Sequence, residues 1–344
     1  MKWRIAAVIP NWNGAGRLER CLASLEKQRH RFDQIIVVDN GSSDGSERLA
    51  QIRIPENRGF AFAVNRGISA AAGADWIAIL NNDVVLDPGW LHVMIDVPAD
   101  FQMVNGRTLQ MANPKLLDGA GDALSLGLAA ARLGHGAPDG PAYATPREVF
   151  GVCFAAALIH TDVFRRVGVL EERFFAYLED AEFSLRARLA GFRAWYAPRA
   201  VAYHEGSASS GAGSAGVGSA PSSAAASGAV GSASKSGDLL SPNIAEWMTA
   251  NQLLLAARYA SPETWPRVMM VQMLWAARML HRGRFAAWRR GVSTALAQFA
   301  DMRYALPVDR KAAAAILRGS EELIRRDPCA NDLFWQFYFS SGAA

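Results

Sequence analysis

The chain has 344 residues, 51% of them hydrophobic and 20% charged, enough apolar surface for one large domain or two modest ones. A formal net charge of +4 is too mild to argue for a nucleic-acid partner, and three cysteines without metal-like spacing (Cys21, Cys153, Cys329) exclude a disulfide framework and a zinc site. The N-terminus, MKWRIAAVIPNWNG, lacks the features of a signal peptide, and no stretch reaches the roughly 18 uninterrupted apolar residues of a spanning helix. The expected location is cytoplasmic, at the inner face of the cell membrane if the chain meets lipid at all.

Strands and helices alternate over the first hundred residues. A strand is predicted over 3–9, then a helix over 16–28 with Leu18, Cys21, Leu22 and Leu25 on one face. A strand at 34–38, a short helix at 46–51, a short strand at 52–54 and a helix at 60–72 follow. Residues 76–80 carry Ile77, Ile79 and Leu80 and read as a strand covered on both faces. This alternation predicts a parallel, doubly wound sheet with right-handed crossovers. From 101 to 150 the pattern loosens, and irregular strands and loops are expected. Order returns in GVCFAAALIHTDVFRRVG, a strand and then a helix opening near Thr161 and Asp162. Next come a loop and helix in FFAYLEDAEFSLRARLAGF and two short strand-like pieces in RAWYAPRAVAYHEG. Residues 206–241, almost all Ser, Ala and Gly, read as a flexible loop or linker. The predicted division is a catalytic domain over 1–205, that loop, and a helical C-terminal region over 242–344.

The strand at 76–80 runs straight into Asn81-Asn82-Asp83. Open α/β sheets bind ligands at the carboxyl ends of their strands, and crowded oxygen ligands there suit Mg²⁺ or Mn²⁺. The competing reading is a strand end capping the next helix. The first strand ends in Pro10-Asn11 and the second in Asp39-Asn40-Gly41. In a parallel sheet these lie on the same edge, where the Asp39 carboxylate can accept a hydrogen bond from the N3–H of uracil or thymine. Asp44 reads as an Asx-turn. Gly59 opens a helix whose amides are candidates for an anion, with Asn65 one turn on, against a plain loop glycine and polar face. Glu179, Asp180 and Glu182 stand at a helix N-terminus, either as a cap or as the general base for a hydroxyl nucleophile. His204 follows a strand and is a candidate imidazole ligand.

In order and spacing, VIPNWN, VVDNGSSDGS, ENRGFAFAVNRG, ILNNDVVLDPGWL, the segment 151–160, FFAYLEDAEFSLRARLAGF and AVAYHEGSAS resemble family 2 glycosyltransferases, in their rhamnosyltransferase-like branch. The likeness covers residues 3 to about 207, and weakly 243–262. It implies a GT-A fold: an α/β, doubly wound mixed sheet flanked by helices, here with a C-terminal helical extension. It also implies a metal-dependent, inverting transfer of one sugar from a nucleotide-diphosphate donor, dTDP- or UDP-linked, to a hydroxyl of a glycan or polyprenyl-diphosphate-linked acceptor. On that resemblance Asp39, Pro10 and Asn11 hold the nucleoside, Asn65, Asn81 and Asn82 line the nucleotide-sugar site, Asp83 and His204 bind Mg²⁺ or Mn²⁺, and Asp180 is the catalytic base. Asn stands at positions 81 and 82 of a motif that is stricter in the family. No basic residue precedes Arg258 near 250–252, which weakens acceptor-phosphate contacts from that helix. The other readings are an inactive GT-A-like carbohydrate-binding or scaffold protein and a sugar nucleotidyltransferase.

Residues 264–300 hold six arginines and no acidic residue, interleaved with Met and Trp. This composition suits an anionic membrane surface, or a helix packing Met and Trp inward and turning Arg to water.

Overall fold

The computed structural model describes residues 3–206 and 240–340; most of the predicted 206–241 loop therefore lies outside the described residues. The N-terminal part runs β1 (Ile5–Asn11), α1 (Ala15–Glu26), β2 (Gln34–Asn40), β3 (Ile52–Ile54), α2 (Phe60–Ala70), β4 (Trp76–Leu80), β5 (Val84–Leu86) and α3 (Trp90–Ile95). It continues through β6 (Met103–Gln110), β7 (Asn113–Gly119), β8 (Asp122–Leu124), β9 (Ala130–Arg132), β10 (Arg147–Val149), β11 (Ala156–His160), α4 (Thr161–Val167), α5 (Glu179–Leu189) and β12 (Ala194–His204). Five helices follow: α6 (Pro242–Tyr259), α7 (Trp265–His281), α8 (Phe285–Tyr304), α9 (Arg310–Arg326) and α10 (Leu333–Ser340).

The main sheet has the order β10-β12-β6-β11-β4-β1-β2-β3, with β5 added to β12 and β7 to β6. β1 pairs in parallel with β2 and β4, as the alternating pattern requires, whereas β11 is antiparallel to both β4 and β6. The sheet is therefore mixed. Its strands alternate between two cores. On β1, Ile5, Ala7 and Ile9 pack with α1 and α3, while Ala6 and Val8 pack on the opposite face with α2.

Three expectations change. The segment taken as irregular contains β6, an eight-residue strand inside the sheet, because its near-continuous burial carries no alternation to read. The two strand-like pieces near the 200s are one strand, β12, whose register shifts between Ala197 and Val201. Pro198 lies within that irregularity, where a missing backbone N–H is tolerated. The short helix predicted at 46–51 shrinks to a single 3₁₀ turn, Ser46–Leu49.

The C-terminal helices share the core of the sheet's second face: Ile244, Met248, Leu254, Val271 and Leu317 belong to the same apolar cluster as Val8, Phe154 and Phe183. Among the described residues, no helix is long and apolar enough to cross a membrane.

Candidate active site

Because β1, β2 and β4 are parallel, Asn11, Asp39 and residues 81–83 emerge on one sheet edge. Asn11 and Asp39 are in register, and Pro10 pairs with Val38 just beneath them. The Asn11 side-chain amide donates to Asp39 Oδ1 at 3.1 Å and to Ser46 Oγ at 2.9 Å, while its oxygen accepts from Asn82 Nδ2 at 2.8 Å. Asp39 Oδ2 accepts from the Ser42 N–H at 3.1 Å. Gly14 is required here, since a Cβ at that position would lie 2.2 Å from Asn82 Nδ2 and 2.8 Å from Asn11 Oδ1. Asn81 is buried, and its backbone forms a tight turn, donating to Ala155 O at 2.9 Å and accepting from Val84 N at 3.3 Å. Asp44 makes the expected Asx-turn, accepting from Ser46 N at 3.0 Å, and also ties α1 by accepting from Ala15 N at 3.0 Å.

β12 is antiparallel to β5, with His204 opposite Val84, so the imidazole arrives beside Asp83. His204 Nε2 lies 3.3 Å from Asp83 Oδ1, and Nδ1 lies 2.9 Å from Asp118 Oδ2. Burial alone would favour the neutral ring, but the two carboxylates outweigh it and raise the pKa to about 10. Asp118 moves the other way: burial opposes its charge, yet His204 and Arg132 hold it well below the ordinary carboxylate range. This donor set fits a divalent cation that would take the place of the Nε2 proton between His204 and Asp83. One carboxylate oxygen and one imidazole nitrogen face each other, and a second carboxylate on Nδ1 fixes the ring, the arrangement metal-binding histidines use.

Arg132 lies across the β8–β9 pair from Asp122. Its guanidinium is 3.2 Å from Asp118 Oδ2, 3.4 Å from Asp122 Oδ1 and 2.7 Å from Cys153 Sγ. Asp122, Cys153 and Asp180 are all buried, and each offers a ligand atom within 4.8 Å of the others. With Arg132 against two of the three, that cluster already holds a fixed positive charge, and the metal reading stays with Asp83 and His204. Burial pushes Asp122 up to about 8, with Arg132 opposing and Asp180 reinforcing the shift. Burial also raises Asp180, while a hydrogen bond from Asp122 favours its charged form. Burial thus disfavours charge on both carboxyls. Asp83, His204, Asp118, Arg132, Asp122 and Asp180 form one continuous buried chain of polar contacts.

Of the other predicted residues, Asn65 is not brought to this edge. Its amide donates to Leu170 O at 2.9 Å and Glu172 Oε1 at 3.0 Å, and its oxygen accepts from Leu170 N at 2.9 Å, so it fastens a loop. The anion reading of Gly59 gives way as well: the first amides of α2, Phe60 and Ala61, both donate to the Phe175 carbonyl, at 2.6 and 3.4 Å. Glu182 is bound by Arg186, Arg258 and Tyr259 at 2.8, 2.7 and 2.6 Å and serves packing. Arg258 also pairs with Glu171 at 2.6 Å, which commits the basic residue nearest 250–252 to the core. Asp118, Asp122 and Arg132 escaped sequence reasoning. Their signal was three charges in an otherwise apolar run, LLDGAGDALSLGLAAAR.

Residues 6–100 match the model of Glycosyl transferase family 2. The N-acetylglucosaminyl-diphospho-decaprenol L-rhamnosyltransferase of Mycobacterium tuberculosis is 29% identical over 238 residues, covering 60% of this chain and 78% of that protein. The pre-mycofactocin glycosyltransferase of the same organism is 27% identical over 214 residues, 58% of this chain and 42% of that protein. Among solved structures, GalNAc-T7 with UDP, GalNAc and Mn²⁺ superposes with a TM-score of 0.50 at 15% identity, over 59% of this chain and 43% of that one, a likeness of fold. The mixed sheet, the sheet-edge motif and these matches agree on a GT-A fold whose residues 6–100 match Glycosyl transferase family 2, in a chain similar to a rhamnosyltransferase over 60% of its length.

Proposed function

We propose that the protein is an inverting hexosyltransferase that moves one sugar from a nucleotide-diphosphate donor to an acceptor hydroxyl in cell-surface polysaccharide synthesis. The observation that carries this reading is the buried chain joining the Asp83–His204 pair to Asp180, beside the Asn11–Asp39 corner. Asp39 accepts from the nucleobase, with Pro10, Asn11, Asn81 and Asn82 shaping the nucleoside side. Asp83 and His204 would hold Mg²⁺ or Mn²⁺, which when bound offsets the charge growing on the departing diphosphate. Asp180 takes the proton of the acceptor hydroxyl as it attacks the anomeric carbon. Burial favours this role, because a carboxylate with a raised pKa is a stronger base near neutral pH. Similarity to the mycobacterial enzyme supports L-rhamnose, carried on dTDP or UDP, and an acceptor built on a polyprenyl diphosphate. The unit that performs the chemistry is 1–205, with 242–344 as its helical support.

A cytoplasmic site of action against the membrane follows from such an acceptor, and α7 supports it. Trp275 and Met279 pack inward, whereas Met269, Met273 and Leu280 lie on one outward stripe with 54, 64 and 64% of their surface exposed. Arg282, Arg284 and Arg289 lie near its C-terminal end in a stretch free of acidic residues. An apolar stripe beside clustered cations matches an anionic lipid surface.

The deciding experiment is release of dTDP from dTDP-rhamnose with N-acetylglucosaminyl-diphospho-decaprenol and Mn²⁺. Asp180→Asn should lower turnover by roughly 10²–10⁴-fold while dTDP still binds. Turnover that survives this substitution would remove Asp180 from the chemistry, and binding without any turnover would favour an inactive carbohydrate-binding protein.

A further inference from the structure

We infer that Asn251, on α6, is a positioning residue for Asp180: one side-chain amide from the C-terminal helices fixes the backbone turn that delivers the base. The inference rests on Asp180 acting as that base. Tyr177 and Leu178, immediately before α5, both have positive φ, at 77° and 66°. Neither is a residue that favours the left-handed region, and such strained positions persist only where their surroundings impose them. The imposing group is Asn251, which is 2% exposed and donates to the carbonyls of Ala176 and Tyr177 at 2.8 and 2.7 Å, with a longer contact to the Phe174 carbonyl at 3.5 Å. One turn earlier on α6, Trp247 packs its ring on Phe175 and Tyr177, with centroids 4.9 and 6.2 Å apart. The preceding carbonyl, Phe175, is taken by Phe60 N at 2.6 Å. Three successive carbonyls are thus pinned from outside the turn, and Asp180 follows three residues later. Without the amide, the chain has every reason to relax toward ordinary φ, which re-aims the first turn of α5 while leaving the Asn11–Asp39 corner untouched.

Asn251→Leu removes all of these amide hydrogen bonds at similar volume, and Asn251→Ser keeps one donor. Each is compared with wild type and Asp180→Asn in the dTDP-rhamnose assay with Mn²⁺ and the decaprenol-linked acceptor. The expected result for Asn251→Leu is a kcat lower by about 10- to 100-fold, the cost of misplacing a reacting group by about 1 Å. The KM for dTDP-rhamnose and the Kd of dTDP with Mn²⁺ should stay unchanged, with Asn251→Ser between Leu and wild type. If Asp180→Asn abolishes turnover but both Asn251 variants keep kcat, the inference fails and the function stands. Parallel loss of nucleotide binding and kcat would mean general loosening, which also overturns it. A wild type inert toward this donor and acceptor overturns the functional reading and this inference together.

Discussion

Two buried carboxyls joined by a hydrogen bond give the site its pH dependence. Burial raises both Asp122 and Asp180, a hydrogen bond from Asp122 favours the ionised Asp180, and Arg132, Cys153 and Glu179 are the other polar groups around the pair. As the proposed base Asp180 must be ionised, and burial raises its titration above the usual carboxylate range, so turnover should rise with pH through that raised value. Replacing Asp122 by Leu removes the hydrogen bond that favours the ionised base; the acidic limb of the kcat profile should move to higher pH. Asp122→Asn keeps a donor and should leave the limb near its wild-type position. A profile identical in all three proteins would show that Asp122 does not govern the base. For Asp118, which orients His204 through Nδ1, substitution by Asn should weaken Mn²⁺ activation by about 10–100-fold, read from the Mn²⁺ concentration giving half-maximal turnover. At Gly14 an added methyl displaces Asn82 or Asn11. Gly14→Ala should therefore weaken dTDP binding, measured by calorimetry, with little change in melting temperature. Asp39, Asp83, Asp180 and His204 were all readable as candidates, because strand ends and a helix start are where such residues face ligands. Asn65 misled for a physical reason: a buried asparagine satisfies its amide wherever the nearest unpaired backbone lies, here the 170–172 loop.

At the level of elements, α5 is tied to α6 through one buried carboxylate. Glu182 on α5 bonds Arg258 and Tyr259 on α6 as well as Arg186 on its own helix, all in the core. Removing one partner of a buried ion pair strands the other, at a cost of about 3–5 kcal/mol. Arg258→Met should therefore lower unfolding stability by that amount in urea titration, unless Arg186 alone suffices for Glu182, in which case the loss stays near 1 kcal/mol. The alternation of strand and helix made β1 to β4 legible, since each of those strands is a short apolar run bounded by turn residues. β6 and β12 were harder. The first is buried along most of its length among Gly, Asn and Thr, and the second is broken in pattern by Pro198, so neither shows a period. The β8–β9 pair, which carries Asp122 and Arg132, has strands of three residues each and offers even less to read.

Across the whole molecule, the sheet-edge site and the outward stripe of α7 ask to be tested together. Vesicles of phosphatidylglycerol and phosphatidylcholine should sediment the wild type and release it as salt is raised, because part of the attraction is between arginines and headgroups. Met273→Glu with Leu280→Glu should abolish sedimentation yet leave dTDP binding intact; equal binding to purely zwitterionic vesicles would point away from an anionic surface. The composition of 264–300 showed that arginine and large apolar residues alternate there, but not which face each takes. Burial of Trp275 and Met279 turned two methionines and a leucine outward, and only packing against the rest of the chain decides that. The turn before α5, gripped by a side chain more than seventy positions downstream, also bears on how such enzymes diversify. A recombinant that exchanged everything after the sheet for a relative's helices would inherit a foreign grip on the turn that carries the proposed base. Shuffled descendants should remain active only when the 174–182 stretch and the 247–259 stretch are inherited from the same parent.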